Sequence, residues 1–113
     1  TMLMRILLLA SCLLVPRAVL AEPMPVPAAK MAYVGEWVGK DMRLNIAKNG
    51  QIDYKAKKPN KTVDMSIELV RFEGNNFDAG YGFVTSTFVV SKPPYKDGDK
   101  WKMVVDGVEL TKR

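Results

Sequence analysis

The chain has 113 residues, with 17 lysines and arginines against 12 acids, a net charge of +5, one cysteine and no histidine. That length holds one small domain. The missing histidine removes the commonest general base, transition-metal ligand and pH switch, and the single cysteine, Cys12, lies in an apolar N-terminal run, so the composition predicts a non-enzyme with no disulfide, no metal and no cofactor.

Arg5 precedes an apolar run of Ile6, Leu7, Leu8 and Leu9, continuing to Leu13, Leu14 and Val15, which Pro16 breaks ahead of Arg17. A basic start, an apolar centre and the exit Val19-Leu20-Ala21 describe a secretory signal peptide cut before Glu22. Residues 1–21 are therefore a cleaved leader or a retained anchor. Leu9-Ala10-Ser11-Cys12 resembles the bacterial lipobox, which implies acylation of Cys12; the other reading makes Cys12 a small apolar residue inside a signal core. As a helix, residues 2–21 would span about 30 Å, the thickness of a bilayer's hydrocarbon core. Arg5 would stay on the cytoplasmic side and Arg17 would snorkel to the opposite headgroups. A start at Thr1 fits an initiator methionine trimmed from an uncleaved N-terminus, and the expectation is a leader retained in the bilayer.

Residues 22–32 carry Pro23, Pro25 and Pro27. Alternating prolines favour an extended polyproline-II spacer, here one that holds the domain off a surface. The net charge of +5 falls to +3 once Arg5 and Arg17 are set aside, a mild excess that suits anionic lipid, polysaccharide or protein partners and selects none.

Residues 33–113 read as hairpins. Met42, Leu44 and Ile46 alternate with Arg43, Asn45 and Ala47, then Asn49-Gly50 turns the chain into Ile52, Tyr54 and Ala56. Asn-Gly between alternating runs predicts a type I′ hairpin. A basic turn from Lys57 to Lys61 leads to Val63, Met65, Ile67 and Leu69, a half-buried strand. Gly74-Asn75-Asn76 turns again, and residues 77–90 hold one or two strands with a bulge or break at Gly80 and Gly82. Residues 91–100, with Pro93-Pro94 and Asp97-Gly98, read as a loop. Trp101, Met103 and Val105, the turn Asp106-Gly107, then Val108 and Leu110 form a second tight hairpin. No run after residue 35 has helical spacing, so the fold class is all-β: a small antiparallel sandwich or partly open barrel of hairpins behind an apolar N-terminal helix and a proline-rich spacer. The expected core is Trp37, Leu44, Ile46, Ile52, Val63, Met65, Ile67, Leu69, Phe88, Trp101, Met103 and Leu110.

The chemical motifs are weak. Gly80-Tyr81-Gly82 has Thr85 where a dinucleotide loop needs its third glycine, and no helix follows. Asp97-Gly98-Asp99 has calcium-loop spacing without the remaining oxygen ligands, and Lys96 and Lys100 flank it, so a charged turn is expected. Asn60-Lys61-Thr62 is a glycosylation sequon that a bacterial leader makes irrelevant. Lys55, Lys57, Lys58 and Lys61 read as a solvated, lysine-guarded strand edge, and no nucleic acid partner is expected.

Gly35-Glu36-Trp37-Val38-Gly39 resembles the Gly-x-Trp start of lipocalin-like barrels, where the tryptophan plugs one end. With residues 87–94 and 101–110, the wider pattern resembles small exported bacterial β domains of uncharacterised function. The resemblance implies export and a small β domain and carries no catalytic residues. The leading expectation is a non-catalytic accessory subunit on the periplasmic side of the inner membrane, bound to a membrane protein complex. The alternatives are a lipocalin-like binder of a small molecule, with Trp37, Tyr54, Phe83 and Phe88 around its cavity, or an inhibitor or immunity protein of a periplasmic hydrolase. Candidate ligand or partner contacts are Trp37, Tyr54, Pro93, Pro94 and Tyr95.

Overall fold

The computed structural model describes residues 24–113. The leader expectations at Arg5, residues 6–9, Cys12, residues 13–15 and Arg17, and the N-terminal helix they would form, lie outside the described residues. A 3₁₀ segment, Ala28–Tyr33, precedes nine strands. They are β1 (Gly35–Gly39), β2 (Met42–Ile46), β3 (Gln51–Lys58), β4 (Lys61–Glu73), β5 (Asn76–Tyr81), β6 (Val84–Phe88), β7 (Val90–Asp97), β8 (Lys100–Val105) and β9 (Val108–Lys112).

All nine lie in one antiparallel sheet, in the order β6-β5-β4-β3-β2-β1-β9-β8-β7. The sheet curls into a half-barrel, so of the two expected forms the partly open barrel is the one adopted. Both ends of the chain's β region meet in the middle, where β9 pairs with β1. The two edge strands, β6 and β7, are consecutive in the chain and joined by Val89 alone. Side chains and turns satisfy the backbone at this joint. Asp106 Oδ1 accepts the Val89 N–H at 2.9 Å, Asn76 Oδ1 accepts the Val90 N–H at 2.8 Å, and the Asp106 N–H donates to Val89 O at 2.7 Å.

The core follows the period of two. β2 buries Met42, Leu44 and Ile46, and β3 buries Ile52, Tyr54 and Ala56. Of the expected core, Val63 and Trp101 are half-buried. Met65 departs from the expectation: it is 41% exposed, because β5 begins to pair with β4 only at Glu68 and leaves nothing over Met65. Tyr33, Phe77, Val90 and Val105 join the core unforeseen. Aromatic rings thread it, with Tyr33 edge-on to Phe77 at 6.3 Å, Phe77 stacked on Phe88 at 5.0 Å and Phe88 edge-on to Tyr54 at 5.3 Å.

The turns sort themselves by φ. Asp106 at 49° and Gly107 at 81° make the expected type I′ pattern. At Asn49-Gly50 the expectation is corrected. Only Gly50 is positive, at 95°, and the bonds from Gly50 N to Ala47 O and from Ala47 N to Gln51 O mark a three-residue loop that ends in a left-handed glycine. The expected loop over residues 91–100 is also corrected, since β7 runs through Pro93 and Pro94. Proline is tolerated there because β7 is an edge, and register shifts at Val90/Lys92 and Lys92/Tyr95 absorb the missing N–H groups. The bulge expected near Gly80 sits across the ladder, between Leu69 and Arg71. Gly80 is needed for space instead, because a Cβ there would stand 2.0 Å from Val84 O.

From Met24 onward the proline-rich segment lies on the sheet. The Met24 N–H bonds to Leu69 O and the Val26 N–H to Lys48 O, and Val26 is buried. Its last residues carry Tyr33 into the core, where the hydroxyl donates to Asn75 O at 2.9 Å. Among the described residues no helix is long and apolar enough to cross a membrane.

Candidate functional site

The half-barrel opens into a cavity of about 450 Å³. β3 supplies Tyr54, β4 supplies Met65 and Ile67, and β5 supplies Ala79, Gly80 and Tyr81. β6 adds Val84, Ser86, Thr87 and Phe88, and the β8–β9 turn adds Asp106. Pairing places these residues together: Tyr54 lies opposite Met65, Ala79 opposite Ser86 and Tyr81 opposite Val84. The walls are mostly apolar with a few convergent polar groups, the usual make-up of a small-ligand site, and the volume falls in the range of roughly 300–1,000 Å³ common for such sites.

Two polar groups among the lining residues are Tyr54, which is buried, and Asp106, which is exposed. The Tyr54 phenol has its pKa raised by burial first and by the nearby Asp106 carboxylate second. Asp106 is kept in place by its bond from Val89 N. The rim is unusually bare, with Tyr81 77% and Val84 71% exposed beside Met65, and Phe83 fully exposed at the turn between them. Gly82, with φ of 62° at the first central position, permits that turn.

Tyr54 is thus in the cavity and so is Phe88. Trp37 is not: it is wholly buried, and its Nε1–H donates to Tyr33 O at 2.9 Å. Phe83 stands at the hairpin tip. Pro93, Pro94 and Tyr95 line a separate shallow depression with Ser91 and Lys92 on β7. Sequence reasoning missed Asp106, Tyr81 and Val84 as wall residues. The apolar pair around Gly82-Phe83 was the available signal, since a tight turn ordinarily carries polar flanks.

Several acids elsewhere are engaged in structure. Lys102 bridges Asp97 at 3.2 Å and Glu109 at 3.9 Å, and the Asp97 hydrogen bond leads the causes that raise the Lys102 pKa. Among the described residues no cluster of three or more acids, cysteines or histidines is placed to hold a metal. Asp78 is buried on the outer face, where it accepts from Thr87 Oγ1 at 2.7 Å and pairs with Arg71. The Thr87 hydrogen bond and the Arg71 partner hold its carboxyl below the usual range, against the opposing effect of burial. A lowered folded pKa contributes stability above the unfolded value of about 3.9 and loses it as pH falls through the folded value. The melting temperature of Asp78→Asn should therefore lie below that of the native chain at pH 7, with the gap closing as the pH drops below about 4. A gap that stays constant down to pH 2 would show that Asp78 gains nothing from its charge.

No family profile, curated protein or solved structure matches this chain.

Proposed function

We propose that this chain is a non-catalytic binding module of the bacterial cell envelope, exported to the periplasmic side of the inner membrane, whose half-barrel takes an apolar group into the cavity beside Tyr54. One observation carries the reading: an apolar-walled cavity of about 450 Å³ whose rim, at Tyr81 and Val84, is left open. The phenol of Tyr54 and the carboxylate of Asp106 would orient a polar end of the occupant. The resemblance to lipocalin-like barrels supports the same role.

Nile red, an uncharged apolar fluorophore, tests it. The native chain should bind the dye with blue-shifted emission. Ser86→Trp should weaken that binding tenfold or more, because Ser86 is an exposed wall residue whose enlargement fills the cavity without disturbing the core. Equal binding by both proteins would sink the proposal.

A second reading makes the domain an accessory subunit of a membrane protein complex. The apolar tip of the β5–β6 hairpin favours it, since Tyr81, Phe83 and Val84 together form a surface of the kind partners cover.

A further inference from the structure

We infer that the natural occupant of this cleft is an extended peptide strand, which adds to the free edge of β4 and drops alternate side chains into the cavity. The inference rests on the binding role proposed above and specifies its ligand.

β4 is thirteen residues long. On one side β3 pairs with it from Lys61 to Glu68, whereas on the other β5 pairs with it only from Glu68 onward. Residues 61–67 therefore have a single neighbouring strand among the described residues. Parity says which backbone groups are open. The Leu69 N–H bonds to Gly50 O on the β3 side, and Gln51 Nε2 reaches Ile67 O on that same side. Alternate residues of a strand point their N–H and C=O the same way. Thr62, Asp64 and Ser66 therefore turn theirs outward, into the space that β5 vacates.

That space adjoins the cavity. Met65 and Ile67 of the unpaired stretch form its wall, and the end of the β5–β6 hairpin, the Tyr81–Val84 pair, closes it. A strand lying in line with β5, beyond Tyr81, would find backbone partners at every second residue of β4 and an apolar hollow under its inward side chains. A small apolar molecule would use the hollow and leave the edge unused.

Charge narrows the peptide. Lys55, Lys57, Lys58 and Lys61 are all exposed at the β3–β4 end of this edge, and none takes part in an ion pair among the described residues. A peptide with alternating apolar residues and acids at the end nearest Lys58 and Lys61 matches the surface. A second copy of the chain matches it less well, because antiparallel pairing centred on Asp64 sets two carboxylates opposite each other, which destabilises a ladder.

The test uses the full chain and an acetylated peptide that alternates valine with threonine and ends in two glutamates. Saturating peptide should slow hydrogen exchange at the amides of Thr62, Asp64 and Ser66 tenfold or more and leave Val63 and Met65 unchanged. N-methylation of the peptide residues that face β4 should weaken binding at least tenfold, whereas N-methylation of the alternate set should not. Asp64→Pro, which deletes one outward donor at an edge where proline is tolerated, should lose the peptide and keep Nile red. Failure of the peptide to slow those amides, with Nile red still bound, defeats the strand inference and leaves the cavity reading intact; loss of Nile red binding by the native chain defeats both. Amides already protected in the free chain would mean that the chain itself, or a second copy, fills the edge, and would overturn the inference.

Discussion

Trp37→Ala is expected to lower the stability of the domain by about 3–5 kcal/mol, the usual range for truncating a buried tryptophan. The ring is wholly buried in β1, between Leu44 of β2 and Lys112 of β9 in the ladder. It meets three kinds of neighbour. Its indole N–H satisfies the carbonyl of Tyr33 at 2.9 Å, the Lys112 ammonium lies over its face at 5.0 Å, and aliphatic side chains of the core surround the rest. Truncation leaves a cavity and an unpaired carbonyl together. A domain of this size has a total stability of roughly 5–13 kcal/mol at 0.05–0.15 kcal/mol per residue, so the loss takes a large share of it. For a chain this short it corresponds to a drop in melting temperature of roughly 12–40 °C. Trp37→Phe separates the causes. It keeps most of the buried area and loses the hydrogen bond, and should cost about 1–3 kcal/mol. Denaturant titration of both variants checks this, and a loss below about 1 kcal/mol for Trp37→Ala would refute the packing role given to the ring.

Trp37 also shows how far residue types alone lead. The Gly-x-Trp pattern and the alternation of Met42, Leu44 and Ile46 are local, and they predict an all-β chain of hairpins with Trp37 inside. Asp106-Gly107 is equally local, because two adjacent residues must accept positive φ and only a few types do so. The errors arise where distant strands decide. Met65 has the spacing of a core residue, yet its exposure depends on where β5 ends, twelve or more positions downstream. Pro93-Pro94 argues against a strand until β7 is known to be an edge with shifted register. The site shares this fate. Tyr54 and Phe88 are recognisable as aromatic wall residues, whereas Asp106 reaches the cavity only because Val89, the joint between the two edge strands, docks on the β8–β9 turn. No pattern within residues 100–110 carries that information.

Phe88→Ala is expected to cost about 3–5 kcal/mol as well, and to change the site while it weakens the fold. Phe88 belongs to both. It stacks on Phe77 at 5.0 Å and meets the edge of Tyr54 at 5.3 Å, and it forms the floor of the cavity. Removing the ring joins the void it leaves to a cleft that already opens outward at Tyr81 and Val84. A void with an entrance can be refilled. Benzene should therefore raise the melting temperature of Phe88→Ala by more than it raises that of the native chain, because the enlarged void binds it more tightly and a ligand that binds only the folded state stabilises it by about 2.7 kcal/mol at a hundred times its dissociation constant. Phe77→Ala is the control. Phe77 is fully buried and does not line the cavity, so its void has no such entrance and benzene should restore less. Thermal melts of the three proteins with and without benzene decide the matter. Equal rescue of both variants would show that the core is accessible throughout, and no rescue of Phe88→Ala would show that Met65, Ile67 and Val84 collapse over the site when its floor is removed.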